Sequence, residues 1–521
     1  MKVENFTGRF ATRRRRQDVR GVSLATFILV GCGGGDMSRS QSRSAPAPVA
    51  SAAPITPTSP PSDPLGPRPQ PAMPPPYLPT APAVFPAVNG ITVWLLERHE
   101  LPVVSCDITI PSGASSDPKD KAGLAYVTTN MLDEGAGTRG AIDLARAIDG
   151  LGARIGTDTN ADASFVSLTV AKRNFDRAFS LFGDVVARPR FEPAEFKRVK
   201  DLWYNELLER QKDPDATARV VYRVVLFGPD HPYGHPWDGI AQSARTVTLD
   251  DVKRFYGTVW RPDRATLVCA GDVTAPELTA LISTAFGTWK APAKPAPDPL
   301  VPASPKGPWP RLVMVDRPDA PQSVIAAVKP GIAASSPGSP ALWRVNDAIG
   351  GSFTSRLNQD LRENRGYTYG ARTRYSISRG PGQVVSWANV ITDRTGDALA
   401  AMLDDLQKFA DGGLLPDEIL RTRSQARGDL VTVFETVEGV AGHLAADASL
   451  GLPADYEAKA SEARDAADGT TLNRLAQQFY DPRAAILVVV GPRARVQPMI
   501  NKLGLPAPEI RNAEGYVVKS E

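Results

Sequence analysis

The sequence predicts an α+β fold built from two duplicated halves, and three observations support this prediction. Residues 260–271 (WRPDRATLVCAG) recur loosely as residues 480–491 (YDPRAAILVVVG), at an offset of about 220 residues. Residues 93–102 match residues 312–321 at nearly the same offset. Two matches at one offset indicate internal repetition. Strand-like and helix-like segments are mixed within each repeat, which favours α+β halves.

The elements of the first half follow in the order strands, helices, strand. Its opening strands cover residues 92–96 and 103–110, which are rich in β-branched residues. Three helical patterns come next, at residues 141–151, 173–186 and 193–211. An apolar run before a glycine, residues 265–270, closes the first half, and residues 484–490 close the second.

A Pro- and Ala-rich stretch at residues 291–310 separates the halves and predicts a linker. The first half then covers residues 87–290, and the second half covers residues 311–505. Residues 506–521 remain as a C-terminal tail. The chain of 521 residues is too long for one compact core, which agrees with this division.

The N-terminus has the pattern of an export signal. Four consecutive arginines at residues 13–16 precede a short apolar run at residues 22–31, and Cys32 follows. This order of charge, apolar run and small residues is typical of a cleaved secretory signal. The ending Leu-Val-Gly-Cys resembles the bacterial lipobox, in which the cysteine is lipidated. We expect a signal peptide at residues 1–31 and a lipid on Cys32; a chance apolar patch with a buried cysteine is the alternative.

A lipid on Cys32 predicts a membrane anchor without a spanning helix. Acyl chains anchor a protein without crossing the bilayer, and no apolar run in the sequence reaches about 18 residues. Aspartate is absent directly after Cys32. By resemblance to bacterial lipoproteins, this absence favours the outer membrane, with the body at the periplasmic face of the cell envelope.

Residues 32–86 predict a Pro-rich, disordered tether between the lipid anchor and the folded body. Sixteen of the 48 prolines fall between residues 45 and 86. Such a composition samples extended polyproline conformations and builds no packed core. A proline-rich recognition ligand is the alternative.

Charge and cysteine content exclude two classes of protein. The net charge is +3, but residues 1–31 carry +5, so the rest carries −2 and is not a basic nucleic-acid binder. Three cysteines exclude a disulfide-rich scaffold. Cys106 and Cys269 lie in apolar strands, where a disulfide formed after export and two buried free thiols both fit. Buried free thiols are our expectation.

Four segments carry a resemblance to a known family: residues 89–104, 121–125 (KAGLA), 229–236 (PDHPYGHP) and 271–273. They resemble the insulinase/pitrilysin-type zinc peptidases, or inverzincins, and in length the small bacterial members similar to mitochondrial processing peptidase. The resemblance covers residues 85–505. It implies that each half is a mixed, mainly antiparallel sheet packed with helices, and that the halves form a clam-shell.

The zinc-binding motif of that family is degenerate in this chain. In the family, Gly-Leu-Ala is followed by H-x-x-E-H on a helix, whose histidines bind zinc and whose glutamate is the general base. Here the ligand positions are Tyr126 and Asn130, and the base position is Thr129. Glu206 matches the family's third ligand, but one carboxylate does not make a zinc site. We therefore expect no metal and no cofactor in this chain.

The four histidines do not restore the site. His231 and His235 are four residues apart, but the prolines around them exclude a helix, so we expect loop residues that fix a turn. His99 and His443 are expected to be surface or capped histidines. Glu206 is itself more typical of an ordinary carboxylate on a helix face.

The C-terminal signature of the family is retained in residues 348–370. In family members, an Arg and a Tyr seven residues later reach toward the zinc site, and here they are Arg362 and Tyr369. An arginine can hold a substrate carbonyl, and a tyrosine hydroxyl can stabilise an oxyanion. A structural role for both residues is the alternative. Gly350 and Gly351 either form a turn, which we favour, or let a loop approach substrate.

A missing zinc site beside a retained Arg/Tyr pair resembles one member of the family's heterodimers. In these, one chain carries zinc and the other supplies the Arg and Tyr. We therefore expect a non-catalytic subunit that binds extended or unfolded peptide and needs a zinc-bearing homologous partner. Residues 152–160 resemble the family's substrate-binding edge strand, although an ordinary twisted edge is the alternative. An independent peptide-binding or assembly scaffold at the outer membrane is the second hypothesis, and a zinc peptidase with an altered site is the third.

Overall fold

The computed structural model describes residues 72–295 and 298–518 of the chain. The predicted signal peptide, the lipidation site Cys32 and the predicted tether up to residue 71 lie outside the described residues. Within the described part, no helix combines the length and the apolar character needed to cross a membrane.

The first half contains a six-stranded sheet and a two-stranded ribbon with covering helices. Its strands are β1 (Ala83–Pro86), β2 (Thr92–Glu97), β3 (Val103–Ile110), β4 (Gly135–Ala136), β5 (Arg139–Gly140), β6 (Arg154–Thr159), β7 (Ser164–Ala171) and β8 (Thr266–Gly271). Its helices are α1 (Leu124–Asn130), α2 (Ala141–Gly150), α3 (Phe175–Ala187), α4 (Pro193–Arg210), α5 (Pro214–Phe227), α6 (Ala241–Thr246), α7 (Leu249–Val259) and α8 (Ala275–Phe286). The strands and helices predicted from the sequence agree with these bounds within two residues at each end.

The second half contains another six-stranded sheet. Its strands are β9 (Leu312–Asp316), β10 (Gln322–Pro330), β11 (Thr368–Ser376), β12 (Gln383–Ile391), β13 (Ile486–Gly491) and β14 (Glu509–Ile510). Its helices are α9 (Ser339–Asn346), α10 (Arg356–Asn358), α11 (Thr395–Gly412), α12 (Pro416–Phe434), α13 (Val437–Ser449), α14 (Tyr456–Ala466), α15 (Gly469–Tyr480) and α16 (Arg493–Asn501). Two π-helical segments, Asp347–Gly351 and Gln359–Asn364, extend α9 and α10.

The strand order confirms the duplication. The first sheet has the order β1-β2-β8-β3-β7-β6, and the second has the order β14-β9-β13-β10-β12-β11. The last five strands of the two sheets correspond one to one. The β2–β8 and β9–β13 pairs are parallel, whereas the pairs from β8 to β6 and from β13 to β11 are antiparallel. The prediction of an α+β fold with mixed, mainly antiparallel sheets is therefore confirmed.

The inner face of the first sheet carries the first hydrophobic core. Alternate residues of β3, including Cys106 and Ile108, face apolar side chains of α1, α3 and α8. Cys106 lies directly opposite Cys269 of β8, with 4.1 Å between their Cα atoms, and the two form a disulfide. The expectation of buried free thiols is therefore wrong. Strand β8 lies between β2 and β3, and this tertiary insertion brings together two cysteines 163 residues apart.

The outer face of each sheet is covered by a helix from the other half. Helix α13 of the second half packs on β3 and β8, and its Val440 and Leu444 share an apolar cluster with Trp94 of β2 and Val268 of β8. Helix α5 of the first half packs on β10 and β13 in the same way. The two halves therefore exchange helices, and each half supplies part of the other's hydrophobic core.

Two predicted boundaries need correction. The sequence predicts a tether up to residue 86, but Ala83–Pro86 is strand β1 and pairs with β2. Just before it, the Tyr77 ring contacts Phe434, and the Tyr77 carbonyl accepts a hydrogen bond from Ser461 Oγ at 2.8 Å. The predicted tail likewise contributes strand β14, which pairs with β9. Both ends of the body are ordered because backbone groups next to a sheet edge gain hydrogen-bond partners.

A buried hydrogen-bond network joins the two halves. Tyr233 Oη donates to Asp162 Oδ1 at 2.6 Å, and both residues belong to the first half. From the second half, the Arg379 backbone N–H donates to Asp162 Oδ2 at 2.8 Å, and the Gly380 N–H donates to Tyr233 Oη at 2.9 Å. The Arg379 guanidinium also binds the carbonyl of Ser449 at the end of α13. These side chains are almost fully buried, so the network fixes how the halves meet.

Candidate functional site

Helix α1 carries the degenerate motif, and the residues before it fix where the helix starts. Gly123 has a φ of +90°, and a Cβ there would lie 2.5 Å from the Trp203 ring. A larger residue is therefore excluded by both conformation and space. The Asp117 carboxylate accepts hydrogen bonds from the backbone N–H groups of Gly123 and Ala125, at 2.6 and 2.8 Å. These bonds satisfy N–H groups that have no partner within the helix.

The degenerate motif has become part of the packing of the first half. Tyr126 is half-buried, and its ring centroid lies 5.5 Å from that of Trp237 and 6.4 Å from that of Trp203. Thr129 is buried, and its Oγ1 donates to the Ala125 carbonyl of its own helix at 2.9 Å. Asn130 is half-buried at the helix end. Aromatic packing thus occupies one ligand position, and an internal hydrogen bond occupies the position of the base.

The residues at this place do not fit a zinc ion. Glu206 is exposed on α4, as expected for an ordinary helix carboxylate. In the described residues, none of the positions 126, 129, 130 or 206 belongs to a group of His, Cys, Asp and Glu side chains close enough to share an ion. Structural zinc needs four ligands and catalytic zinc needs three, usually His, Cys or carboxylate. No chemistry through a metal at α1 follows from this set.

The four histidines lie in two loops and one helix. His231 is in a loop, where its Nε2 donates to the Ala303 carbonyl at 2.9 Å and its Nδ1 accepts from Tyr233 N at 3.0 Å. His235 lies in the same loop, where burial lowers its pKa. These contacts agree with the expectation that His231 and His235 are loop residues.

The other two histidines lie beside carboxylates. His99 is exposed between Asp272 and Glu97. His443 is half-buried on α13 beside Glu457.

The Arg/Tyr pair stands at an edge of the second sheet. Strand β11 is the edge strand, and Tyr369 is its second residue. The Tyr369 side chain is 90% exposed and makes no hydrogen bond to any part of the chain that the structure describes. Arg362 lies on the π-helical segment that packs beside β11, half-exposed, with its guanidinium carbon 4.4 Å from the Phe353 ring centroid. Glu363 Oε1 is 3.4 Å from Arg362 Nε.

The local backbone explains how this pair is presented. The register of β11 against β12 shifts between Thr368 and Ala371, so Tyr369 lies in a β-bulge. Thr368 Oγ1 holds the bulge by donating to the Asn389 carbonyl at 2.6 Å and accepting from Gly370 N at 3.0 Å. Bulges often re-aim a side chain next to a functional site. Here the bulge presents a tyrosine to solvent from an ordered strand.

The two glycines of the signature serve close packing. A Cβ on Gly350 would lie 2.6 Å from Thr373 N in β11, and a Cβ on Gly351 would lie 2.7 Å from Asn346 Nδ2. Both belong to the π-helical segment after α9, which contacts β11. The expectation of a simple turn is therefore corrected. Gly350 lets the helical segment lie directly against the strand that carries Tyr369, and Gly351 lets it pack closely on Asn346 at the end of α9.

The predicted substrate-binding strand is strand β6, and it lies at the corresponding edge of the first sheet. It pairs with β7 on one side and lies beside α1. Arg154 at its start forms an ion pair with Glu438 of α13, with 3.0 Å between Nη2 and Oε2. The prediction of an edge strand is confirmed.

Two features of the site escaped sequence reasoning. Phe353 lies under the Arg362 guanidinium, and Trp237 lies against Tyr126. Phe353 lies shortly after the Gly-Gly pair of the signature, nine positions before Arg362. An aromatic residue within the signature could have indicated a cation–π partner for the arginine. Nothing in the sequence pattern indicated the contact of Trp237, because it comes from a loop more than 100 residues away.

Comparisons with known proteins agree with this geometry. Residues 92–223 match the family described as Insulinase (Peptidase family M16), and residues 246–426 match the one described as Peptidase M16 inactive domain. The chain is 27% identical, over 351 residues, to an uncharacterised zinc protease of Mycobacterium tuberculosis, covering 66% of this chain and 78% of that protein.

Two further relatives bear on the degenerate motif and on the fold. A non-peptidase homologue of Helicobacter pylori is 24% identical over 190 residues, which is 36% of this chain and 44% of that protein. The solved structure of a peptidase M16 inactive domain from Pseudomonas fluorescens superposes with a TM-score of 0.73 at 23% identity, covering 79% of this chain and 98% of that one. The matched halves, the two duplicated sheets and the retained C-terminal signature together show that the chain belongs to the insulinase family, peptidase family M16.

Proposed function

We propose that this protein is the non-catalytic, substrate-binding subunit of a heterodimeric zinc metallopeptidase that acts on extended peptides. The exposure of Tyr369 carries the proposal. Among the described residues, the Tyr369 side chain is 90% exposed and makes no hydrogen bond, while Thr368 holds the bulge that carries it. Tyrosine is enriched at interfaces because its ring supplies apolar contact area and its hydroxyl supplies a hydrogen bond.

The chemistry of the pair suits peptide hydrolysis at a partner's zinc site. The Arg362 guanidinium has five N–H donors, and it can hold a peptide carbonyl while its stem and charge rest on Phe353. The Tyr369 hydroxyl can donate to the oxyanion that forms when water attacks that carbonyl. The packing at Tyr126 and Thr129 supports the complementary half of the proposal, because this chain then contributes no metal and no base at α1.

An extended peptide is the substrate form that the sheet edges favour. Strands β6 and β11 stand at equivalent edges of the two sheets. An edge strand can pair with an extended peptide through backbone hydrogen bonds, which tolerate many side chains. Unfolded segments therefore fit better than folded proteins.

The cell envelope is the proposed location, with a lipid on Cys32 anchoring the protein, most simply at the periplasmic face of the outer membrane. The Cys106–Cys269 disulfide supports this location because disulfides persist in oxidising compartments such as the bacterial periplasm. Labelling with a radioactive fatty acid checks the anchor: Cys32→Ser is expected to abolish the label and release the protein from membranes.

The decisive experiment measures cleavage of an unfolded peptide by the purified full chain, alone and mixed with a zinc-bearing homologue from the same cell. The lone chain is expected to be inert and the mixture active. Arg362→Ala and Tyr369→Phe are each expected to lower cleavage by the mixture about 10²- to 10³-fold, with complex formation unchanged by size-exclusion chromatography. Arg365→Ala is the matched control, since Arg365 lies three residues away and is also exposed.

Two other outcomes contradict the proposal. Cleavage by the lone chain that a chelator abolishes would show that the assignment of Tyr126, Thr129 and Asn130 is wrong. A mixture whose cleavage rate is unchanged by both the Arg362 and the Tyr369 substitution would favour an independent binding or assembly scaffold.

A further inference from the structure

Three side chains with metal-binding chemistry meet between α13 and α14, far along the chain from the degenerate motif. His443 and Asp447 are four residues apart on α13 and so lie on one face of the helix. Glu457 lies in the first turn of α14. The distance from His443 Nε2 is 2.8 Å to Glu457 Oε2 and 3.8 Å to Asp447 Oδ2. The three ligand atoms all lie within 4.8 Å of one another.

One carboxylate oxygen of Asp447 lacks a hydrogen-bond partner in the described residues. The Asp447 side chain is 9% exposed, and the oxygen without a partner is Oδ2. Buried polar atoms are nearly always hydrogen-bonded, and a buried carboxylate without a partner is costly. A protonated His443 would satisfy Glu457, but its Nε2 is too far from Asp447 Oδ2 for a hydrogen bond. The simple ion-pair explanation therefore leaves one oxygen unexplained.

The arrangement fits a small divalent ion better. Zinc binds imidazole nitrogen and carboxylate oxygen at about 2.0–2.2 Å, so tetrahedral ligands lie about 3.3–3.5 Å from one another. The separations of 2.8 and 3.8 Å bracket this spacing, and small side-chain shifts reach it. Glu457 Oε1 is held by the Arg464 guanidinium, which leaves Oε2 directed at His443. Ligating carboxylates are commonly oriented by such an outer partner.

We propose that His443, Asp447 and Glu457 bind one divalent transition-metal ion of the zinc type. One imidazole with two carboxylates suits zinc and similar ions rather than calcium or magnesium, which prefer oxygen ligands alone. Three protein ligands leave one position of a tetrahedral ion for a water molecule.

The location gives the ion a structural role. Helix α13 covers the outer face of the first sheet, whereas α14 packs on α9 and α12 within the second half. An ion held by both helices ties the exchanged helix to its own half. Because a metal that binds only the folded state stabilises it, the ion strengthens the connection between the halves. This inference is independent of the proposed peptidase role.

The test titrates the metal-stripped full chain, without a histidine tag, with zinc chloride alone in a calorimeter. Thermal unfolding is followed with and without zinc, and with magnesium as the comparison ion. We expect one zinc ion per chain, a rise in the unfolding temperature with zinc, and no rise with magnesium. Asp447→Asn and His443→Ala are each expected to weaken binding at least tenfold and to remove the thermal shift.

His99→Ala is the matched control. His99 also lies between two carboxylates, with Nδ1 2.7 Å from Asp272 and Nε2 3.3 Å from Glu97, but these use opposite ring nitrogens and cannot share one ion. Its substitution is expected to leave zinc binding unchanged. Zinc binding that survives Asp447→Asn undiminished is adventitious surface binding and overturns the proposal.

A measurement on the unaltered chain covers the case in which a variant fails to fold. X-ray absorption at the zinc edge is expected to show nitrogen and oxygen ligands with the scattering pattern of one imidazole. A wild-type chain that binds no stoichiometric zinc, or a zinc shell without imidazole, contradicts the inference.

Discussion

Tyr126 and Tyr369 stand at positions where the family places active-site residues, yet their surroundings are opposite. Tyr126 is half-buried between two tryptophan rings, whereas Tyr369 projects into solvent from a bulge. A side chain with packing partners stabilises its own fold. A side chain without them is available to another molecule. The same residue type thus packs into the fold in the first half, and in the second half it is exposed as the proposed recognition residue.

Matched alanine substitutions separate these two roles. Tyr126→Ala is expected to lower the free energy of unfolding by about 2–3 kcal/mol, because it leaves a gap beside Trp203 and Trp237. Tyr369→Ala is expected to change it by less than about 0.5 kcal/mol. Urea denaturation of the purified chain measures both values. Equal losses would contradict the assigned roles.

Asp107 is a buried carboxylate on the outer face of the first sheet. It is 7% exposed, makes no side-chain hydrogen bond within the described residues, and faces α13. Burial raises its pKa to about 7, and the nearby Glu438 carboxylate adds to the increase. The folded state therefore holds a proton that the unfolded chain, with a pKa of about 3.9, releases.

The sign of the pH dependence follows from this difference. Between about pH 4 and pH 7 the folded state binds more protons at Asp107, so this residue makes the protein less stable as the pH rises. Asp107→Asn is expected to gain stability over wild type at pH 8 and to match it at pH 4. Urea unfolding at both pH values measures the difference. Asp149→Asn, at an exposed position, is the control, and an Asp107→Asn gain that does not depend on pH would argue against this account.

At the scale of elements, equivalent strands of the two halves have diverged at their edges. Strand β6 runs in regular register with β7, whereas β11 carries the bulge that presents Tyr369. The bulge is held by Thr368, and Gly350 lets a π-helical segment pack against the strand. The edge strand of the second half is therefore irregular and exposes one side chain, whereas the equivalent strand of the first half is regular.

The exchanged helices make each half depend on the other. Helix α13 belongs to the second half by sequence but covers β3 and β8 of the first. Its Leu444 is 2% exposed and packs in the cluster that contains Trp94 and Leu96. Loss of packing at Leu444 should therefore be felt in the first sheet.

Leu444→Ala tests this coupling. The substitution is expected to lower the free energy of unfolding by about 2–4 kcal/mol, because it leaves a cavity between α13 and the sheet. Amide hydrogen exchange of β3 and β8 is expected to speed up, although the substitution lies in the other half. Leu472→Ala in the core of the second half is the comparison. Exchange changes confined to the second half would contradict the exchange of helices.

At the scale of the whole molecule, three features hold the halves in one arrangement. They are the exchanged helices, the buried network of Asp162, Tyr233 and Arg379, and the linker itself. The linker takes part through Trp309, whose Nε1 donates to the Leu226 carbonyl at the end of α5 at 2.9 Å. The two sheets are therefore held in one fixed arrangement within the described body.

The disulfide acts on the whole chain because it closes a loop of 163 residues within the first half. Cross-links over long loops reduce the entropy of the unfolded state. The double substitution Cys106→Ala with Cys269→Ala is expected to cost about 2–5 kcal/mol of unfolding free energy. Denaturant midpoints with and without reductant measure it. A wild-type midpoint that does not move on reduction, or two titratable thiols from Cys106 and Cys269 in the unreduced protein, would show that the bond is absent.

Much of the fold could be predicted because its signals are local. The strands of residues 103–110 and the helix starting at Pro193 appear in the sequence through apolar periodicity and a proline that suits a first helical turn. The candidate site was predictable only in residue identity. Arg362 and Tyr369 are part of a contiguous signature, whereas the contact with Phe353 and the exposure of Tyr369 depend on folding.

The sequence alone determined that the chain has two repeated halves and that the motif at residues 126–130 lacks zinc ligands and a base. Both facts depend on which residues follow one another, so no coordinates are needed. The tertiary structure decided that Cys106 meets Cys269, that Asp107 is buried, and that His443 meets Glu457. The cysteines meet because β8, from the end of the first half, inserts between β2 and β3 near its start. Asp107 is buried because α13 covers the first sheet, and His443 meets Glu457 because α13 lies beside α14. Such contacts depend on how entire sheets and helices pack against one another, and the local periodicity of the sequence does not indicate them.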